Sequence, residues 1–214
     1  DKHTWSMTIL YICTFGTFIG FSAALPLSIA VIFGFTSVEV NGVMTRVAYA
    51  NAPSALTWAW IGPFVGAFIR PLGGWLSDRT GGAILTQVMA AVMVVCSVAV
   101  GYVMMLAYQS PSPSEHFALF MILFVIIFGA AGIGNASTFR TIGVVFSREQ
   151  AGPVLGWTSA IGGYAAFIMP LLMGAQIRAG TPENAMYGLA VFFALCMVLN
   201  WWFYLRANAY AKNP

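Results

Sequence analysis

One arginine stands in an otherwise uncharged, apolar stretch and is the residue best suited to bind a charged ligand. Arg70 lies in the run IGPFVGAFIRPLGGWLSDRTGG, residues 61–82. A guanidinium inside a membrane-spanning helix is costly, so it usually faces a protein interior or a wet cavity and marks a functional site. Gly66, Gly73 and Gly74 share its helical face and leave room around it. The alternative is a snorkelling arginine, whose head bends to the lipid surface.

An amide and an aromatic ring share one helical face in a later apolar run. Asn135 and Phe139 are four residues apart in GAAGIGNASTFRTIGVVF, and that spacing brings side chains together on a helix. Core packing is the alternative role for Phe139. Arg140 is about 100° further round, so it need not face the same cavity as Phe139. Glycines here predict tight packing on a neighbouring helix.

Two further faces could line a ligand passage. In the first apolar run, a tyrosine and two phenylalanines share a face with a serine: Tyr11, Phe15, Phe18 and Ser22. A tyrosine hydroxyl in lipid needs a partner, which favours an inward position, although a position among the lipid headgroups is equally consistent with the sequence. A stripe of small residues in the fifth run either packs a helix or lines a passage; it comprises Gly152, Gly156, Ser159 and Gly163.

The elements that position these residues are transmembrane helices. The chain has 214 residues, of which 60% are hydrophobic and only 7% charged, against about 25% charged in soluble domains. This composition excludes disordered, nucleic-acid-binding and disulfide-rich secreted proteins. Apolar runs predict an all-α polytopic protein with six spans, at about 5–35, 55–76, 84–108, 117–146, 153–177 and 186–205. The chain begins with Asp, which suggests a piece of a longer protein.

The charges predict the orientation of these spans. Six spans place both termini on one side, where five basic residues lie against two on the other side. The positive-inside rule then makes both termini cytoplasmic in a plasma-membrane protein. All six acidic residues fall in predicted loops or tails, so Arg70 and Arg140 are expected to have no carboxylate partner within the membrane. An unpaired buried guanidinium is unfavourable, so an anion should come to it.

A polar turn between the second and third spans resembles a loop of the major facilitator transporters. The segment GWLSDRTGG, residues 74–82, has the Gly, Leu and Asp-Arg pattern of the loop between the second and third helices of each half. Gly74 permits close helix approach, and Asp78 and Arg79 are expected to act in conformational switching. Asp78 could cap the next helix or pair with a cation across a moving interface. A generic polar turn is the alternative.

Four segments, in this order and spacing, resemble the C-terminal half of the NarK-type nitrate/nitrite porters: YICTFGTFIGFSAALP, GPFVGAFIRPLGGWLSDRTGG, GIGNASTFRTIGVVF and WTSAIGGYAAFIMP. The resemblance covers residue 5 to about residue 205 and implies helices seven to twelve of a twelve-helix fold. It implies a planar anion, nitrate or nitrite, bound between two arginines, one in each half, without cofactor or metal. The N-terminal six-helix half would be the partner of this chain, and the two would transport by alternating access.

The resemblance also implies roles for individual residues. Arg70 matches the anion-binding arginine of this half, Tyr11 a tyrosine that hydrogen-bonds the anion, and Phe139 a phenylalanine that stacks on its plane. The segments around Asn135 and around Gly162 and Gly163 match the family's signature regions. Arg140 stands where some members carry glutamine, which leaves nitrate/nitrite exchange and proton-coupled uptake both open.

Other functions fit the sequence less well. A facilitator for another small organic or inorganic anion is the main alternative. A membrane-bound redox enzyme would need paired histidines inside the spans to bind haem, whereas His3 and His116 lie outside them. A purely structural membrane module would not need Arg70. The sequence therefore predicts a transporter and not an enzyme.

Overall fold

The computed structural model describes residues 2–214 and shows a bundle of apolar helices. Within that range, five helical segments are long and apolar enough to cross a membrane: Lys2–Phe33, Gly82–Gln109, Pro113–Val145, Arg148–Arg178 and Glu183–Leu205. They correspond to the first, third, fourth, fifth and sixth predicted spans. The prediction of a helical multi-pass membrane protein is therefore confirmed, while the count of six spans stays a prediction.

The first span consists of two helices joined by a wider turn. Helix α1 (Lys2–Tyr11) and helix α2 (Thr17–Ser28) are each followed by a π-helical turn, Ile12–Gly16 and Ile29–Phe33. Its inner side is almost fully buried, and Phe21 contacts Phe124 of the fourth span edge-to-face at 5.1 Å between ring centroids. This span therefore forms part of the core of the bundle.

The connection between the first two predicted spans contains a hairpin. Strand β1 (Phe35–Val40) pairs antiparallel with strand β2 (Val43–Ala48). The two residues between them, Asn41 and Gly42, have φ of 53° and 80°, and Asn-Gly is the pair that such a tight turn favours. Residues 35–48, of which 36–48 belong to the predicted loop, thus form a short two-stranded sheet.

Arg46 fastens this hairpin to the end of the first span. Its Nη2 donates hydrogen bonds to the carbonyl oxygens of Val31 and Ile32 at 2.9 and 3.0 Å, and its guanidinium lies 3.9 Å from the ring centroid of Tyr108. The carbonyl end of a helix carries a partial negative charge. The arginine thus neutralises that end and holds the hairpin against it.

The second predicted span is an interrupted helix. It is divided into α3 (Ala55–Trp58), α4 (Ile61–Phe68) and α5 (Arg70–Thr80). The amide of Gly73 still donates to the carbonyl of Ile69 at 3.1 Å, so the helical path continues across the break. Pro71 lacks an N–H and cannot donate in this turn, which explains a break just before Arg70.

The remaining helices complete the bundle. They are α6 (Gly82–Gln109), α7 (Phe117–Val145), α8 (Arg148–Gly163), α9 (Ala165–Arg178) and α10 (Glu183–Asn200), which ends in a π-helical turn at Trp201–Leu205. Helix α7 lies against α4, α5 and α6. The predicted tight packing of its glycines is confirmed, since a Cβ added to Gly132 would collide with the carbonyl oxygen of Gly66.

Candidate functional site

A cavity of about 470 Å³ lies between α4, α5 and α7 and is lined by about half of the residues predicted to bind the anion or act in switching. It is lined by Ala67, Arg70, Pro71, Gly74, Asp78, Asn135, Ala136, Phe139 and Arg140. The helix spacing explains why α5 contributes so many of them: Arg70, Gly74 and Asp78 are four residues apart and form one face. The structure thus places Arg70, which was predicted to bind an anion, and Asp78, which was predicted to act in switching, on the wall of one cavity.

Arg70 has one edge of its guanidinium without a hydrogen-bond partner among the described residues. Its central carbon lies 4.3 Å from the ring centroid of Phe18, a cation–π contact that fixes the plane of the group. Both Nε and Nη2 are buried and have no hydrogen-bond partner among the described residues. These two nitrogens belong to the same edge of the guanidinium, so their N–H groups can donate together to one oxyanion. This inward arrangement argues against a snorkelling arginine.

The second arginine corrects one prediction. The Nε of Arg140 lies 2.9 Å from Oδ1 of Asp78, so Arg140 does have a carboxylate partner. Arg140 also lines the same cavity as Phe139, which the rotation of about 100° between the two positions left open. The physical reason is the close approach of α5 to α7, combined with a side chain long enough to reach across the gap. One amino group, Nη1, remains buried without a partner in residues 2–214.

Asn135 and Phe139 occupy neighbouring positions on the cavity wall. Asn135 is 7% exposed and its Nδ2 is a buried donor without a partner among the residues described. Phe139 is 54% exposed, so it does not fill the core of this chain, and its ring lines the cavity. An unpaired amide donor and a free ring face therefore lie on the wall that also carries Arg70.

The predicted residues of the first span lie beside this cavity and do not line it. Tyr11 and Phe15 contact each other with ring centroids 5.1 Å apart, and both surround Gly162, where an added Cβ would lie 3.2 Å from Phe15. Phe18, whose role the sequence did not single out, provides the direct contact with Arg70. The signal in the sequence that could have identified Phe18 is its position on the same helical face as Tyr11 and Phe15.

The other predicted residues lie apart from the cavity. Ser159 is half-buried and, like Gly163, is not among the lining residues. A Cβ added to Gly163 would meet no atom within 4 Å, and the same holds for Gly152 and Gly156. The small-residue stripe therefore packs no helix within the described chain. Arg79 lies over the ring of Trp75 at 4.0 Å, away from Arg70.

Comparisons with known proteins identify relatives that are about twice as long as this chain. No family model matches it. The chain is 39% identical to the probable nitrate/nitrite antiporter NarK2 of Thermus thermophilus over 98% of its own length and 43% of that protein. It is 30% identical to the nitrate/nitrite transporter NarU of Escherichia coli, over 95% of its length and 44% of that protein. A probable nitrate/nitrite transporter NarK2 of Mycobacterium tuberculosis is 30% identical over 80% of this chain. The chain thus spans a little less than half the length of these relatives.

Proposed function

We propose that this chain is one half of a membrane transporter for nitrate and nitrite. The proposal starts from its homology, over nearly its whole length, to the NarK-type nitrate/nitrite transporters of the major facilitator superfamily. The observation that carries the proposal is the set of orphaned groups beside the cavity. Arg70, Asn135 and Arg140 each bury a nitrogen donor without a partner within residues 2–214. Such a set calls for a ligand made of acceptors.

The chemistry of these donors suits a small planar oxyanion. Nitrate and nitrite offer oxygen acceptors in one plane and carry a single negative charge. The free edge of Arg70 supplies two parallel donors, which match two such oxygens better than a point charge would. The ring of Phe139 offers a flat surface against which a planar anion stacks, as the family resemblance implies.

Transport would use this cavity wall together with a second wall supplied by the other six-helix half. The cavity opens on one side of the chain, and the small-residue stripe of α8 also packs nothing here. Both surfaces are where the other six-helix half would pack, as in transporters that move two repeats about a central site. Alternating access, six spans, cytoplasmic termini and a plasma-membrane location belong to this proposal.

The pair of Asp78 and Arg140 is suited to the switching role. The side chain of Asp78 is 75% exposed and that of Arg140 is 29% exposed. Exposed ion pairs contribute about 0–1 kcal/mol, so little free energy is needed to separate these two groups. A pair that forms in one conformation and separates in another biases the transporter between states.

Anion binding to the full-length transporter tests the proposal. Isothermal titration should show nitrate and nitrite binding in preference to chloride and phosphate, and Arg70→Ala should abolish it. Arg148→Ala is the matched control, because Arg148 is exposed in the first turn of α8 and does not line the cavity. Equal binding of chloride and nitrate, or wild-type binding by Arg70→Ala, would show that the proposed site is wrong.

A further inference from the structure

A second polar cavity, of about 420 Å³, lies where the first and last helices of the chain meet. It is lined by Lys2, His3, Trp202, Phe203, Arg206, Asn208 and Tyr210. It shares no residue with the cavity of Arg70. A buried hydrogen bond of 2.7 Å between Ser6 and Tyr204 joins the two helices beside it, so its walls are held together.

The described lining of this cavity is positively charged. Lys2 and Arg206 line it, and no acidic side chain is among the lining residues within 2–214. The guanidinium of Arg206 lies 4.2 Å from the ring centroid of Trp202, which fixes its plane. Its Nε is buried and has no hydrogen-bond partner in the part of the chain that is described. The lining side chains of Asn208 and Tyr210 add polar groups that can donate hydrogen bonds.

The position of the cavity places these groups at a membrane surface. The last span ends at Leu205, and Arg206 follows directly. Trp201 and Trp202 are each 50% exposed at that end, and exposed tryptophans near the end of a span mark the level of the lipid headgroups. Lys2 begins the first span on the same side. A basic pocket at this depth faces the layer in which lipid phosphates lie.

We propose that this cavity binds the phosphate of an anionic membrane lipid. Arg206 supplies the charged donor, Lys2 supplies a second positive charge, and Trp202 holds the guanidinium in place against the headgroup layer. A lipid bound here contacts the ends of both the first and the last helix. It therefore stabilises their association without taking part in anion transport at Arg70.

Lipid binding to the full-length transporter in detergent tests this proposal. Native mass spectrometry with phosphatidylglycerol is expected to show a bound lipid that phosphatidylcholine does not replace. Arg206→Gln should lower the affinity for phosphatidylglycerol about fivefold, the effect of about 1 kcal/mol for one basic group at a membrane surface. Lys2→Gln should lower it in the same direction.

The control is Arg148→Gln, which removes an exposed basic residue from the same predicted side but outside the cavity. This variant should bind phosphatidylglycerol as the wild type does. An equal loss of phosphatidylglycerol affinity in Arg148→Gln and Arg206→Gln would show that the effect comes from general surface charge, and it would overturn the proposed site. Displacement of the lipid by millimolar inorganic phosphate would assign the cavity to free phosphate instead. Equal binding of both lipids would also overturn the proposal.

Discussion

Replacing Arg70 by lysine separates the geometry of the site from its charge. Both side chains are cationic, and both can lie over the ring of Phe18 as Arg70 does at 4.3 Å. Lysine has no planar fork, so it cannot reproduce the two parallel donors at Nε and Nη2. The substitution therefore removes one hydrogen bond to a bound anion while it retains the positive charge.

The expected loss follows from the strength of that hydrogen bond. A hydrogen bond to a charged group contributes about 1.5–3 kcal/mol, and each 1.4 kcal/mol is a factor of about ten in affinity. Arg70→Lys should therefore bind nitrate about 10- to 100-fold more weakly than the wild type. Arg70→Ala should lose more, because it also removes the charge that faces the anion.

The assay is nitrate titration of the full-length transporter and both variants, with thermal unfolding measured in parallel. Unfolding temperatures close to wild type would show that a lost affinity does not come from lost structure. A variant with lysine that binds nitrate within about twofold of wild type would refute the two-donor argument. Wild-type affinity in the alanine variant would show that Arg70 does not contact the anion.

Three further predictions concern switching, packing and topology. Asp78→Asn should slow nitrate flux into proteoliposomes while nitrate affinity stays within a few-fold, because the ion pair with Arg140 is lost; a large affinity loss would place Asp78 in the binding site. Gly73→Ala should lower the unfolding temperature, since its Cβ would lie 2.8 Å from a backbone carbon of α7. A Cβ added at Gly74 would meet no atom within 4 Å, so Gly74→Ala should be neutral or stabilising by about 0.5–1 kcal/mol. A lower unfolding temperature for Gly74→Ala than for Gly73→Ala would contradict this packing. Ser112→Cys should react with an impermeant thiol reagent from outside intact cells, and labelling only after permeabilisation would reverse the topology.

The spans and the main cation could be predicted because each depends on local sequence. A run of about twenty apolar residues is sufficient to indicate a membrane helix, and one charge in such a run stands out without knowledge of the fold. Periodicity likewise placed Asn135 and Phe139 on one face, and the structure shows both on the cavity wall. These features need only the pitch of a helix.

The hairpin was not predicted, although its signal is present in the sequence. Asn41-Gly42 stands between two β-branched or apolar segments, FTSVEV and VMTRVA, and this arrangement is a strong indication of a tight hairpin. Apolar runs alone locate the spans and leave every connection between them as a loop. The turn residues are what identify the hairpin, and they place Arg46 on its second strand.

The ion pair between Asp78 and Arg140 could not be predicted from the sequence. The two residues are 62 positions apart, and their meeting depends on how closely α5 lies against α7. That approach is set by the contact of Gly73 with the backbone of Ile133. Helical spacing does place Asp78 on the face of Arg70, eight residues on, but only the tertiary packing supplies the partner.

The charge on the cavity wall bears on the role of Arg70. Two arginines and one aspartate leave the lining with a net charge of +1, and Asp78 is already paired with Arg140. An unliganded site would leave Arg70 buried and uncompensated, which is costly in a membrane protein. A bound anion would supply the missing negative charge and accept from the orphaned Nε and Nη2 of Arg70. The charge balance of the wall therefore agrees with the anion-binding role proposed for Arg70, while Asp78 and Arg140 compensate each other.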